Sequence, residues 1–272
     1  MSFPISLNKL LAAFRPERRV GLALSGGVAR GLAHIGVLKV LKKHKIPIHC
    51  LAGTSAGALV GAFFAAGMSP DLIEKNAKKL GWFRFLKFIP GRHGPLEVEE
   101  IRKFIIENIG DIKFSDLNLP FAAVACDIKT GNEVILSEGK VARAVAASCA
   151  FPGIFAPVKH HQELLVDGGI VDNLPSSVLL KMGANFVIAV DVVPGRPLKE
   201  DPENALQVFG RAIDLTLKKF SQEGRRLAQV LIEPEIPEDI WQLDIDEAPR
   251  LIKAGEEAAL AKLLALQFLK IG

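Results

Sequence analysis

Cysteine is scarce in this chain of 272 residues: only Cys50, Cys126 and Cys149 are present. They form no CxxC or Cys/His spacing, so no metal site is expected. An odd, sparse set among apolar or small neighbours suits reduced thiols rather than a disulfide framework. Histidine is sparse too, with six residues and none after His161. Neither sign of charge dominates: 34 basic and 30 acidic residues leave a net +4. That excess is too small to imply nucleic acid by itself. No repeat, low-complexity block or Ser/Gly linker interrupts the chain. One domain is expected over residues 20–272, after an N-terminal extension of residues 1–19. The extension lacks the basic start, apolar run and cleavage site of a secretory signal. A cytoplasmic protein is expected, with a peripheral position at the inner face of the membrane as its variant.

What the chain does have is apolar sequence, 49% of its residues, enough for a sizeable core. Short apolar runs at residues 20–24, 46–52, 121–126, 132–136, 164–166, 186–192 and 228–232 read as strands. Helical spacing covers residues 29–43, 56–67, 97–109, 141–147, 175–182, 206–225 and 248–269. This alternation predicts an α/β fold with a mostly parallel sheet and helices on both faces. Sites in such sheets lie at the carboxyl ends of strands. Residues 49–70 carry no formal charge, and Gly53, Gly57 and Gly61 have the spacing of packed membrane helices. The small and polar residues within the run, and Pro47 before it, favour a buried strand–helix unit over a membrane span.

Gly53-Thr54-Ser55-Ala56-Gly57 is a Gly-x-Ser-x-Gly pentapeptide directly after an apolar run. It places a serine hydroxyl on a sharp strand-to-helix turn, with glycines clearing the space around it. A second glycine turn, Ser25-Gly26-Gly27-Val28, links the first strand to the first helix. It is no Walker loop, because Leu32-Ala33 stands where Lys-Ser/Thr is needed, and Val28 breaks the dinucleotide fingerprint. Backbone amides at about Gly26, Gly27 and Val28 can instead stabilise a developing oxyanion. A tight turn needed only for packing is the bland alternative.

A serine hydroxyl needs a base. No histidine stands in the usual place after an acid late in the chain. Asp167, following three apolar residues and preceding Gly168-Gly169, is the stronger candidate: its burial is costly without a function. Asp127, Asp172 and Asp191 are rivals near strand ends, with turn capping as their plainer role. Arg30 suits either a substrate phosphate or the capping of an element.

These residues resemble the patatin-like phospholipases, in the compact bacterial branch related to the neuropathy-target-esterase type. The match runs through Ser25 to Gly36, Gly53 to Gly57, the block Ala147 to Pro157, and Asp167-Gly168-Gly169. The resemblance implies a three-layer α/β/α fold and hydrolysis of lipid acyl esters through a Ser55–Asp167 dyad and an acyl-serine. It also implies no metal and no cofactor. Many members carry three successive glycines in the first loop, where this chain has Gly26-Gly27 between Ser25 and Val28. The rival reading is a non-catalytic lipid- or membrane-binding regulator on the same fold.

Residues 75–93 contain six basic residues, no acid, and the interleaved aromatics Trp82, Phe83, Phe85 and Phe88. A lid or peripheral membrane contact and an ordinary core-facing helix–loop are both open readings. Nucleic acid is the least favoured partner.

Overall fold

The computed structural model describes residues 18–77, 98–198, 201–238, 240, 244–267 and 269. The extension up to residue 17 and residues 78–97, which hold most of the basic aromatic segment, lie outside the described residues. Among those described, eight strands form one sheet. They are β1 (Val20–Leu24), β2 (Cys50–Thr54), β3 (Phe121–Asp127), β4 (Asn132–Leu136), β5 (Val158–His160), β6 (Glu163–Asp167), β7 (Phe186–Val190) and β8 (Val230–Ile232). In hydrogen-bonding order they run β5-β6-β3-β2-β1-β7-β8, with β4 against β3. The β8-β7-β1-β2-β3 stretch is parallel, while β4 and β6 run antiparallel to β3 and β5 antiparallel to β6.

Central strands alternate between two buried cores, as a sheet covered on both faces requires. Leu22, Leu24, Leu51, Ala123, Ala125, Ile188 and Val190 face the larger core. The helices Ala33–Lys43, Ala56–Ala65, Val141–Ser148 and Ala248–Ala261 supply many of its other residues. Ala23, Cys50, Ala52, Ala122, Val124, Val187 and Ala189 face the opposite core, with Val178 and Leu179 of the helix Ser176–Lys181. This is the expected three-layer α/β/α arrangement.

The strand pairings contain a local constraint. β4 pairs with β3 continuously from Ala123 to Asp127 and so occupies one whole edge of that stretch. β2 pairs with β3 up to Val124, and β6 pairs with it from Ala125 onward. A strand has only two edges, so β2 and β6 must share the other one. They approach from opposite directions, and their last residues, Thr54 and Asp167, oppose the consecutive residues Val124 and Ala125. Ser55 follows Thr54 into the turn.

Several boundaries differ from the sequence expectation. β2 begins at Cys50 rather than 46 and runs through Gly53 to Thr54. Pro47 lacks the amide a ladder needs, which delays the strand. β5 was not anticipated at all; it is a three-residue edge strand with partly exposed residues. The expected helix over 206–225 is two, Ala205–Phe220 and Gln222–Leu227. The break is at Ser221, fully buried, whose hydroxyl donates back to Leu217 O at 3.1 Å. The expected helix over 248–269 likewise ends at Ala261, before a short helix Leu263–Gln267.

Candidate active site

Ser55 sits between β2 and the helix Ala56–Ala65 at φ 53°, ψ −121°. Positive φ in a non-glycine residue costs on the order of 1–3 kcal/mol and persists only where its surroundings impose it. Gly57 is part of what imposes it. A Cβ there would collide with the Leu24 carbonyl at the end of β1, so only glycine lets the elbow helix start this close to the sheet. Gly53 is equally confined, against the Gly57 backbone.

Two residues from the end of the helix Val141–Ser148 hold the elbow from the other side. Ser55 N donates to Ser148 Oγ at 2.9 Å, and Ser148 Oγ donates to Val124 O at 2.6 Å. The Cys149 thiol donates to Ser55 O at 3.3 Å. Burial, and then the nearby Asp167, raise the Cys149 thiol well above its usual range, so it stays protonated.

Asp167 lies at the end of β6, 3% exposed. Its Oδ1 accepts from Gly169 N at 2.8 Å. Burial raises its pKa to about 6, against a smaller lowering by hydrogen bonding from Ser55 and Gly169. The Ser55 hydroxyl lies near enough to act on the carboxyl, while Asp167 Oδ2 itself has no hydrogen-bond partner. The two sequence candidates are thus brought together.

The glycine loop is tied down on both flanks. Ser25 N donates to Val190 O at 3.0 Å, and Ser25 Oγ accepts from Val192 N at 3.0 Å. Gly26 N donates to Asn173 O at 3.2 Å. This corrects one expectation: the Gly26 amide is already engaged and is not free for an oxyanion. Among the described residues, the Gly27 and Val28 amides have no acceptor. Val28 is held at φ 52°, an outlier for a β-branched residue. The short 3-10 turn Val28–Leu32 then leads into the helix Ala33–Lys43.

Arg30 needs a second correction. Neither expected role fits: its guanidinium is 9% exposed and pairs with Asp214 of the helix Ala205–Phe220 at 2.6 Å. An acid distant in sequence neutralises it, joining the glycine loop to that helix.

The remaining candidates lie elsewhere. His34 is fully buried, with Nε2 against Ser25 O at 2.8 Å, and burial lowers its pKa to about 4. His160 and His161 stack edge to face at the β5–β6 turn. His160 opposes Glu163, at the far end of β6 from Asp167, roughly 13 Å along the strand. Asp127 caps its turn through Leu164 N, Lys129 N and Thr130 Oγ1. Asp191 is paired with Lys218 and Arg225. Asp172 caps Leu174 N, with its carboxyl pushed up by burial and by Glu133.

Sequence reasoning missed Ser148 and Asn173. Ser148 belongs to the Ala147–Pro157 block, whose serine had no assigned partner. An apolar recess also opens beside the turn, lined by Val28, Ala29, Ala56, Leu59, Val60 and Phe63 among others.

Two stability predictions follow from this geometry. Ser148→Ala leaves the Ser55 amide and Val124 carbonyl unpaired, and is expected to cost about 1–3 kcal/mol in urea unfolding. Asp167→Asn is expected to stabilise the protein. Between the ordinary value of 3.8 and about 6, the folded carboxyl holds a proton that the unfolded one has lost. Stability therefore falls as pH rises through that window, by about 3 kcal/mol in all. The variant's advantage should be largest near pH 7 and vanish near pH 4, as thermal melts at the two pH values would show.

Residues 22–180 match the family model described as patatin-like phospholipase. An uncharacterised NTE family protein of Mycobacterium tuberculosis is 36% identical over 176 residues, covering 64% of this chain and 49% of that protein. The lysophospholipase nte1 of Aspergillus fumigatus is 32% identical over 202 residues, covering 72% of this chain and 13% of that protein. The chain thus spans about half the length of its mycobacterial relative. VipD of Legionella pneumophila shares the fold, with a TM-score of 0.54 and 15% identity over 92% of this chain and 67% of that one. A family match across more than half the chain, over a three-layer sheet that brings Ser55 to Asp167, identifies this protein as a member of the patatin-like phospholipase family, related to its NTE proteins.

Proposed function

We propose that this chain is a serine acyl-hydrolase that cleaves lipid or lipid-like esters through a Ser55–Asp167 dyad and an acyl-serine intermediate. The observation that carries the reading is a strained serine whose hydroxyl acts on a buried carboxyl with a pKa of about 6. A carboxylate at that value is ionised at neutral pH yet more basic than an ordinary aspartate, which suits a general base. Ser55 Oγ attacks the ester carbonyl and Asp167 takes its proton. The proton then passes to the leaving alkoxide, and water releases the acyl group in the second half. The unengaged Gly27 and Val28 amides suit the oxyanion that forms at each addition. The neighbouring apolar recess suits an acyl chain, since its lining offers almost nothing polar.

Relatives support a lipid substrate, one of them named a lysophospholipase. Peripheral contact with a membrane belongs to the same reading. No helix among the described residues is long and apolar enough to cross one. Val208, Phe209 and Leu215 are more than half exposed on the helix Ala205–Phe220, the helix that supplies Asp214 to the glycine loop. They would bring the site to a lipid surface.

Ser55→Ala and Asp167→Asn are each expected to abolish ester turnover with the fold retained by circular dichroism. A fluorophosphonate should label the parent protein at Ser55 and nowhere in Ser55→Ala. Full activity in Asp167→Asn would end the dyad reading. In the parent, kcat/KM should rise about tenfold per pH unit below pH 6 and level off above it, as the carboxyl loses its proton. A profile flat from pH 5 to 8 would remove Asp167 as the base.

A further inference from the structure

Two buried carbonyl-type oxygens in the site lack a hydrogen-bond donor, Asp167 Oδ2 and Asn173 Oδ1. Asn173 is fully buried, just beyond the Asp167-Gly168-Gly169 turn. The Ser221 hydroxyl donates to Leu217 O at 3.1 Å and accepts from Asn173 Nδ2 at 3.0 Å. With the nitrogen facing Ser221, the oxygen is turned the other way.

That direction is the active site. A Cβ placed on Gly26 would lie 2.6 Å from Asn173 Oδ1 and 3.3 Å from Ser55 Cβ. One on Gly169 would lie 3.1 Å from Asn173 Oδ1 and 3.2 Å from Asp167 Oδ1. The carboxamide oxygen thus lies buried close to Ser55 Cβ and Asp167 Oδ1, against two glycines that put no side chain between them. The Asn173 carbonyl, accepting from Gly26 N, clamps the residue to the glycine loop as well.

We propose that Asn173 is a positioning residue for deacylation, its Oδ1 holding the water that attacks the acyl-Ser55 ester. The inference rests on the acyl-serine reading above. In the free protein the Ser55 hydroxyl is the donor that Asp167 senses. Acylation removes that donor, and the carboxylate must take its next proton from water. Water has two O–H bonds. One breaks as the oxygen adds to the acyl carbon, and its proton goes to Asp167. The other donates to Asn173 Oδ1 and survives in the carboxylic acid product. The bond from the acyl carbon to Ser55 Oγ then breaks, and the proton on Asp167 returns to that oxygen. The first half differs, because its nucleophile, the Ser55 hydroxyl, has one proton only, and Asp167 takes it. Loss of Oδ1 must therefore slow deacylation more than acylation.

The test is stopped-flow hydrolysis of a p-nitrophenyl ester by the full chain and by Asn173→Leu, which has similar volume and no acceptor. Steady turnover is expected to fall on the order of tenfold to a hundredfold, the range for a lost hydrogen bond to a charge-bearing group. The nitrophenol burst should keep nearly its parental rate constant, and acyl-Ser55 should accumulate by mass spectrometry. Ser221→Ala keeps Oδ1 but frees the carboxamide to turn, and should show the same imbalance more weakly. It decides the matter if Asn173→Leu fails to fold or to take a fluorophosphonate label. Equal slowing of burst and turnover, or a ratio unchanged from the parent, overturns the proposal and leaves Asn173 a loop anchor. A parent protein with neither turnover nor labelling overturns the acyl-serine reading along with it.

Discussion

Two strands ending against each other on one edge of β3 set the geometry of the candidate site. With β4 covering the opposite edge, β2 and β6 have no other place to go, and their last residues oppose Val124 and Ala125. Ser55 and Asp167 are more than a hundred residues apart, yet they meet because adjacent residues of one strand hold both. The same strand anchors the brace between them, since the Ser148 hydroxyl bridges Val124 O and Ser55 N. Displacing the serine would thus require unpairing the centre of the sheet.

That placement concentrates unfavourable local states in one small volume. Ser55 and Val28 are both at positive φ without being glycine. Asp167 is buried with a raised pKa, and its Oδ2 and Asn173 Oδ1 both lack donors. Each costs on the order of 1–3 kcal/mol, so their cluster needs a rigid surround. The two fully buried faces of the sheet provide it, with Leu22, Leu24 and Leu51 among the largest fully buried side chains. Local strain gathered at one site on a well-packed scaffold supports the proposed reactive centre.

Much of this was legible from residue order. Alternating strand and helix patterns announced the layered sheet, because period-2 and period-3.6 burial are local properties. The Gly-x-Ser-x-Gly turn announced its own strain, since only glycine permits such close backbone approach. Asp167 stood out because an acid at the end of an apolar run needs a reason to be there. Ser148, Asn173 and Ser221 gave no such signal: each looks like an ordinary small polar residue until its distant partner is known. The break at Ser221 was hidden for the same reason, inside a stretch with good helical spacing. Arg30 misled because a basic residue beside a glycine loop invites a phosphate, whereas its partner is Asp214, far along the chain.

By itself, the order of residues determined the layered fold, the strained serine turn and the short list of acids able to serve it. These follow from steric and hydrophobic rules that act over a few neighbouring residues. Only the tertiary structure decided which acid meets Ser55, that the Gly26 amide is engaged while those of Gly27 and Val28 are not, and where Arg30 and Asn173 point. Strand register and long-range hydrogen bonds make those choices, and neither is encoded in any local stretch of the chain.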